Sequence, residues 1–90
     1  PARRPAAHIS MLDEAELETV EVKAGSEADG KLISEIQLRT KTGASIVAMS
    51  RGGKNIINPE PDTEIMAGDK ILLLGLKESI DAARKCFSGE

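Results

Sequence analysis

Several groups of residues in this 90-residue chain have the types and spacing that chemistry requires. Gly25-Ser26-Glu27-Ala28-Asp29-Gly30-Lys31 fills the first seven places of G-x-x-x-x-G-K-[ST], a loop whose amides and lysine cradle phosphate groups. Glu60, Asp62 and Glu64 alternate as carboxylates around a hard cation would. Seven serines are nucleophile types, and Cys86 and His8 are zinc-ligand types. Each pattern is weakened by its neighbours. Leu32 stands where the phosphate loop needs a hydroxyl for magnesium, and Glu27 and Asp29 put carboxylates where phosphate would sit. No later strand ends in the acidic residue that completes such a site. The stretch reads as a strand-to-helix turn with Asp29 as helix cap. A nucleophilic serine needs a base, and the only histidine, His8, lies in a proline-bounded tail. Pro59 and Pro61 make the acidic stretch a solvated loop, and a calcium site takes about six to eight converging oxygens. One cysteine and one distant histidine make neither a metal site nor an internal disulfide, which suits a reducing compartment. No catalytic residue and no metal ligand is assigned.

Composition narrows the partners. Twelve basic against fifteen acidic residues give a net charge of −3, with no Trp, no Tyr and one Phe. Nucleic-acid binders need a basic face and often stacking aromatics, so nucleic acid is not expected as a direct partner. The longest apolar run, Ile71 to Leu76 with Gly75 inside it, is far short of the ~20 residues a bilayer helix needs. Pro1 to Ala7 is basic, but no long apolar stretch follows as a signal peptide requires. The chain opens on Pro rather than Met and is read as a piece of a longer protein. At this length it is one domain that buries roughly 60–65% of its unfolded surface.

The elements follow from periodicity. Residues 1–16 read as a linker, two prolines with no apolar pattern, and the domain is placed at 17–88. Leu17 to Lys23 alternates with Val20 and Val22 on one face, a strand with one wet side. Lys31 to Leu38 reads as a two-turn helix on Leu32, Ile33 and Ile36. Ile46 to Met49 is a continuous apolar run, expected as a strand buried on both faces. Arg51-Gly52-Gly53-Lys54 turns it into a hairpin whose return strand, Asn55 to Asn58, stops at Pro59. Glu64 to Met66 is a short extended piece, Ala67-Gly68-Asp69 a turn, and Lys70 to Leu74 the strongest strand. Leu76, Ile80, Ala83 and Phe87 form one helical stripe, with Gly89 just past its end. The expected fold is α+β: a small mixed, partly antiparallel sheet of three to five strands with two helices on one side.

Five stretches occur in one order: Val-Lys-Ala-Gly-Ser at 22–26, Gly-Lys-Leu-Ile-Ser-Glu-Ile at 30–36, Thr-Gly-Ala-Ser-Ile-Val-Ala-Met-Ser-Arg at 42–51, Asn-Pro-Glu-Pro-Asp-Thr at 58–63, and Ala-Gly-Asp-Lys-Ile-Leu-Leu-Leu-Gly at 67–75. In this order they resemble the RCK C-terminal, or TrkA-C, domain over about residues 17–87. The most specific element is Pro61-Asp62 followed by Gly68-Asp69 and Gly75. Their roles are mainly structural: Pro61 stiffens the approach, Gly68 allows the turn, Asp69 bonds its amides and Gly75 ends the strand.

The resemblance implies a cytoplasmic regulatory lobe of a potassium channel, a potassium-uptake system or a cation/proton antiporter. It implies a two-fold homodimer and a membrane channel or transporter domain as partner. It implies no cofactor in the domain itself, but in some members cyclic di-AMP, a symmetric second messenger, occupies the dimer cleft. Carried over by position, the cleft residues are Ile46, Val47, Arg51, Asn55 and Ile56. Arg51 would meet a phosphate, Asn55 a phosphate or adenine edge, and the aliphatics would wall the base. The alternatives are an assembly domain with no ligand of its own, or the effector domain of a transcriptional regulator. The surfaces expected to stay sticky are the last helix or the 46–57 hairpin.

Overall fold

The computed structural model describes residues 14–89; His8 and most of the segment read as a linker lie outside them. Four strands form one antiparallel sheet: β1 (Glu16–Glu21), β2 (Ser45–Arg51), β3 (Lys54–Ile57) and β4 (Lys70–Gly75), in the spatial order β1-β4-β2-β3. The helices are α1 (Ile33–Ile36), α2 (Leu38–Thr42) and α3 (Lys77–Ser88). The strongest apolar run, β4, takes the central place between β1 and β2, where its ladder is satisfied on both sides.

The helices cover one face. α3 lies over β1 and β4, and α2 packs beside α3 and against β2. Val20 of β1, Ile71 and Leu73 of β4 and Met49 of β2 point to that side and meet Ile80, Ala83 and Phe87 of α3. Phe87, the only aromatic residue, is fully buried, and its carbonyl accepts the Lys23 amide at 2.8 Å. Gly75 sits at a close approach of backbone and helix. A Cβ there would lie 3.3 Å from the Ala44 Cα and 3.4 Å from the Ser79 Cβ, where β4 turns into α3.

The hairpin is as read from the sequence. Gly52 and Gly53 have φ of 57° and 82°, the paired left-handed conformations of a tight turn matched to sheet twist. Other expectations are corrected. The sheet is wholly antiparallel. β2 is not buried on both faces: only Met49 is buried, because no second helical layer covers the far side. The helix expected over 31–38 breaks at Gln37, whose φ is 52°. A continuous helix would place Ile36 and Leu38 about 200° apart around its axis; the break lets both reach the core.

Asp29 does not cap α1. Leu32 holds the cap position, and the Glu35 carboxylate accepts its amide at 2.8 Å. The Asp29 carboxylate instead accepts amides of Gly25 at 3.0 Å and Ala67 at 3.2 Å, tying the turn after β1 to the turn before β4. Leu76 likewise leaves the helical stripe. It is the exposed N-cap of α3, whereas Ile80, Ala83 and Phe87 are buried.

Replacing Phe87 with Ala is expected to cost about 3–5 kcal/mol, by lost transfer energy and the cavity left behind. The urea midpoint measures it. A loss below about 1 kcal/mol would mean this core is not held on Phe87.

Candidate ligand-binding and dimer surface

The face of the sheet opposite the helices is left uncovered by the described residues. By strand register Leu17, Leu74 and Ser45 lie in one row, and Thr19, Leu72, Ala48 and Ile57 in the next. The last row is Glu21, Lys70, Ser50 and Asn55. Leu17 is 63% and Ile57 69% exposed. A shallow cavity of about 250 Å³ opens here among Thr19, Ala48, Ser50, Asn55, Lys70 and Leu72. This sheet face is half apolar, with Leu17, Leu74 and Ile57 exposed on it. The last helix, by contrast, has its stripe buried, so of the two sticky surfaces expected only the hairpin remains exposed.

At the hairpin's base the structure concentrates its charge. β2 and β4 pair Ser50 with Lys70, which sets Arg51 opposite Asp69. Arg51 Nε donates to Asp69 Oδ1 at 2.8 Å and Nη2 to Oδ2 at 2.7 Å. Nη2 also donates to the Glu64 carbonyl at 2.7 Å. The Asp69 side chain is 3% exposed and that of Arg51 43%, so a buried acid anchors a half-exposed base. The Met66 amide adds a third donor to Asp69 at 2.9 Å, the turn role expected from the sequence. Burial pushes the Asp69 carboxyl up. The Arg51 hydrogen bonds, the Met66 amide and the Arg51 charge outweigh it and hold the group below its ordinary value.

The five positions carried over from the resemblance are dispersed. Ile46 sits on the helix side, lining a cavity of about 370 Å³ with Ile33, Gln37, Leu38 and Arg39. Val47 is the extra residue of a bulge between Ile46 and Ala48, and its carbonyl accepts the Asn58 amide at 2.9 Å. Arg51 is held by Asp69. Asn55 is on the uncovered face, and Ile56 lies opposite Met49, partly exposed. Arg51, Asn55 and Ile56 gather at the hairpin end; Ile46 and Val47 lie at the other end of β2.

The phosphate-loop pattern does not form an anion cradle. Its amides are already engaged: Gly25 with Asp29, Ser26 with the Lys23 carbonyl, Ala28 with that of Cys86, and Gly30 with that of Ile65. The helix that follows is a four-residue turn. Burial, then the nearby Glu27 carboxylate, pushes the Cys86 thiol up, so it stays a packed, protonated side chain. Among the described residues no three His, Cys, Asp or Glu side chains cluster as metal ligands, and no helix is long and apolar enough to cross a membrane.

Comparison with known proteins agrees with this architecture. The family model of the TrkA-C domain matches residues 17–88. The chain belongs to the TrkA-C domain family. Potassium channel protein 1 of Methanocaldococcus jannaschii is 41% identical over 63 residues, 70% of this chain but 19% of that protein, so the chain spans about a fifth of its curated relative. The RCK_C domain dimer of S. agalactiae BusR, solved in complex with c-di-AMP, is 31% identical, with a TM-score of 0.76 over 86% of this chain and 95% of that one. A longer BusR structure, of which this chain covers 36%, holds its busAB-promotor DNA; over 82% of this chain it is 32% identical, with a TM-score of 0.75. The RCK C domain of the potassium transport protein KtrA, also solved with c-di-AMP, shares the fold at 23% identity and a TM-score of 0.74, over 88% of this chain and 91% of that one. The expected α+β TrkA-C fold is thus the observed one, with its sheet antiparallel throughout.

Sequence reading missed the pairing of Asp69 with Arg51 in this TrkA-C domain. Its only signal was an acidic turn residue followed by a buried strand, and reading that as a partner for Arg51 needs the knowledge that β4 lies beside β2. Because the folded Asp69 pKa lies below its unfolded value of about 3.9, its contribution is complete above that value. It is lost as pH falls through the folded pKa. Asp69→Asn is expected to cost about 1–3 kcal/mol near neutrality, and the gap to wild type should narrow below about pH 4. Urea unfolding across pH measures it; a gap constant from neutral to strongly acidic pH contradicts the assignment.

Proposed function

We propose that this chain is the cytoplasmic, non-catalytic regulatory module of a potassium or other cation transport protein. On this reading it acts as a homodimer whose cleft takes cyclic di-AMP. The observation that carries the reading is the 31% identity, over most of both chains, to an RCK_C dimer in complex with that dinucleotide.

The residues support a site shared by two copies. Ile46 and Arg51 are about 17 Å apart along an extended strand, so one β2 does not bring its aliphatic end and its cationic end to the same half of a ligand. Two hairpins running antiparallel across a two-fold axis set Arg51, Asn55 and Ile56 of one protomer beside Ile46 and Val47 of its partner. A symmetric dinucleotide then presents one phosphate and one adenine to each equivalent half-site. Ile57, exposed on the edge strand β3 where the two hairpins would meet, supplies apolar contact between the copies.

The BusR relative on promoter DNA favours a second reading, the effector domain of a transcriptional regulator. The module would be the same, and the DNA-contacting element would lie elsewhere in the full protein.

Calorimetry with cyclic di-AMP is expected to show one ligand per two chains, with linear dinucleotides and AMP binding far more weakly. Absence of heat and of thermal shift from a folded sample leaves the ligand-free assembly reading. Sedimentation is expected to show a dimer at micromolar concentration. Ile57→Glu, at an exposed position, should raise the dimer dissociation constant roughly tenfold or more while the far-UV circular dichroism stays unchanged. A wild-type chain that sediments only as a monomer rules out the dimer.

A further inference from the structure

Asp69 is the only buried charged residue among those described. Its carboxylate takes the Nε and Nη2 edge of Arg51, and the Glu64 carbonyl takes the second Nη2 proton. The other edge, Nη1, has no hydrogen-bond partner among the described residues. A free arginine samples many rotamers, and a ligand that binds it must first immobilise it. Here three hydrogen bonds donated by Arg51, two to Asp69 in the turn before β4 and one to the Glu64 carbonyl, have already done so, with one face of the fork still open.

We propose that Asp69 is a positioning residue for anion recognition: it clamps Arg51 so that Nη1 is presented to a phosphate oxygen. The inference rests on the reading of Arg51 as a phosphate-binding residue for cyclic di-AMP. It has a sign that separates it from simple electrostatics. A carboxylate beside a phosphate site repels the ligand, so if charge alone mattered, removing it would tighten binding. If Asp69 acts by holding Arg51, removing its charge loosens binding.

The test is calorimetric titration of cyclic di-AMP into wild type, Asp69→Asn, Arg51→Ala and the double variant, each well below its own melting temperature. Asp69→Asn is expected to weaken binding roughly three- to tenfold, the cost of ordering one long side chain at binding. Arg51→Ala should weaken it further, and the double variant should match Arg51→Ala within about twofold, since Asp69 acts only through Arg51. Affinity in Asp69→Asn equal to or tighter than wild type overturns the proposal. So does a double variant weaker than Arg51→Ala by the full Asp69→Asn factor, which marks a merely structural role. If Asp69→Asn does not fold, Arg51→Lys replaces it. Lysine keeps the ion pair but has no second edge to offer, so it should lose affinity by a similar factor; wild-type affinity in Arg51→Lys overturns the proposal. No binding by wild type overturns the cyclic di-AMP reading and the positioning role with it. Binding that is indifferent to Asp69 overturns the positioning role alone.

Discussion

One twelve-residue helix and two helical turns can cover one face of a four-stranded sheet, and no more. That constraint organises the molecule. On the covered side Ile71, Leu73, Met49, Ile80 and Phe87 reach full burial, so the protomer has a complete if small core. On the other side the same pleat sends Leu17, Leu72, Leu74 and Ile57 outward, because alternation along a strand leaves no choice once the inner face is set. Scattered exposed aliphatics are ordinary on any surface. These are contiguous across adjacent strands, held flat by the ladder, and bordered by one acid and one base. Such a contiguous apolar face is what an interaction surface requires.

The second organising contact is the Arg51–Asp69 pair. Surface ion pairs such as Lys77 with Asp81 are exposed at both ends and contribute little. Asp69 differs because it is buried. Leaving it without Arg51 would strand a charge, so the pair fixes the hairpin base against the turn before β4. The Asp29 carboxylate makes a parallel link from the turn after β1 to Ala67. Segments 30–34 and 61–65 also exchange backbone hydrogen bonds, with the Leu32–Glu64 bridge at their centre. Together these tie the loops to the sheet's hairpin end, where irregular backbone would otherwise have no partners.

The sequence made the strands, the last helix and the hairpin turn legible, because each is written in local terms: alternation at Val20 and Val22, the β4 run, the Ile80–Ala83–Phe87 stripe, the paired glycines. What it hid was non-local. The order β1-β4-β2-β3 puts β4 beside β2 and so Asp69 beside Arg51, eighteen residues away, a contact no window of sequence displays. The break at Gln37 was hidden for a related reason. The apolar spacing of Leu32, Ile33 and Ile36 fits a helix, but burial of Leu38 as well overrides that local preference. The apolar β2 run misled in the opposite direction. Val47 and Ala48 are apolar without being buried, and no described element supplies the second covering layer their types suggest. For the candidate site, the resemblance offers Ile46, Arg51 and Asn55 as candidates, but no local pattern shows how far apart the fold holds them.

That separation bears on how such a module could regulate anything. A ligand shifts an equilibrium only by binding one arrangement better than another. The protomer core closes without any ligand, and Arg51 is already immobilised by Asp69, so there is little for a dinucleotide to reorganise within one chain. On the proposed reading, the quantity left free is the relation between the two copies. A ligand whose contacts are divided between two hairpins gains its full binding energy only when they stand in one geometry. Its binding energy therefore acts on the pairing rather than on the fold. On that same proposal, the half-covered sheet and the preset arginine serve one end: a rigid unit whose remaining degree of freedom is how it meets its copy.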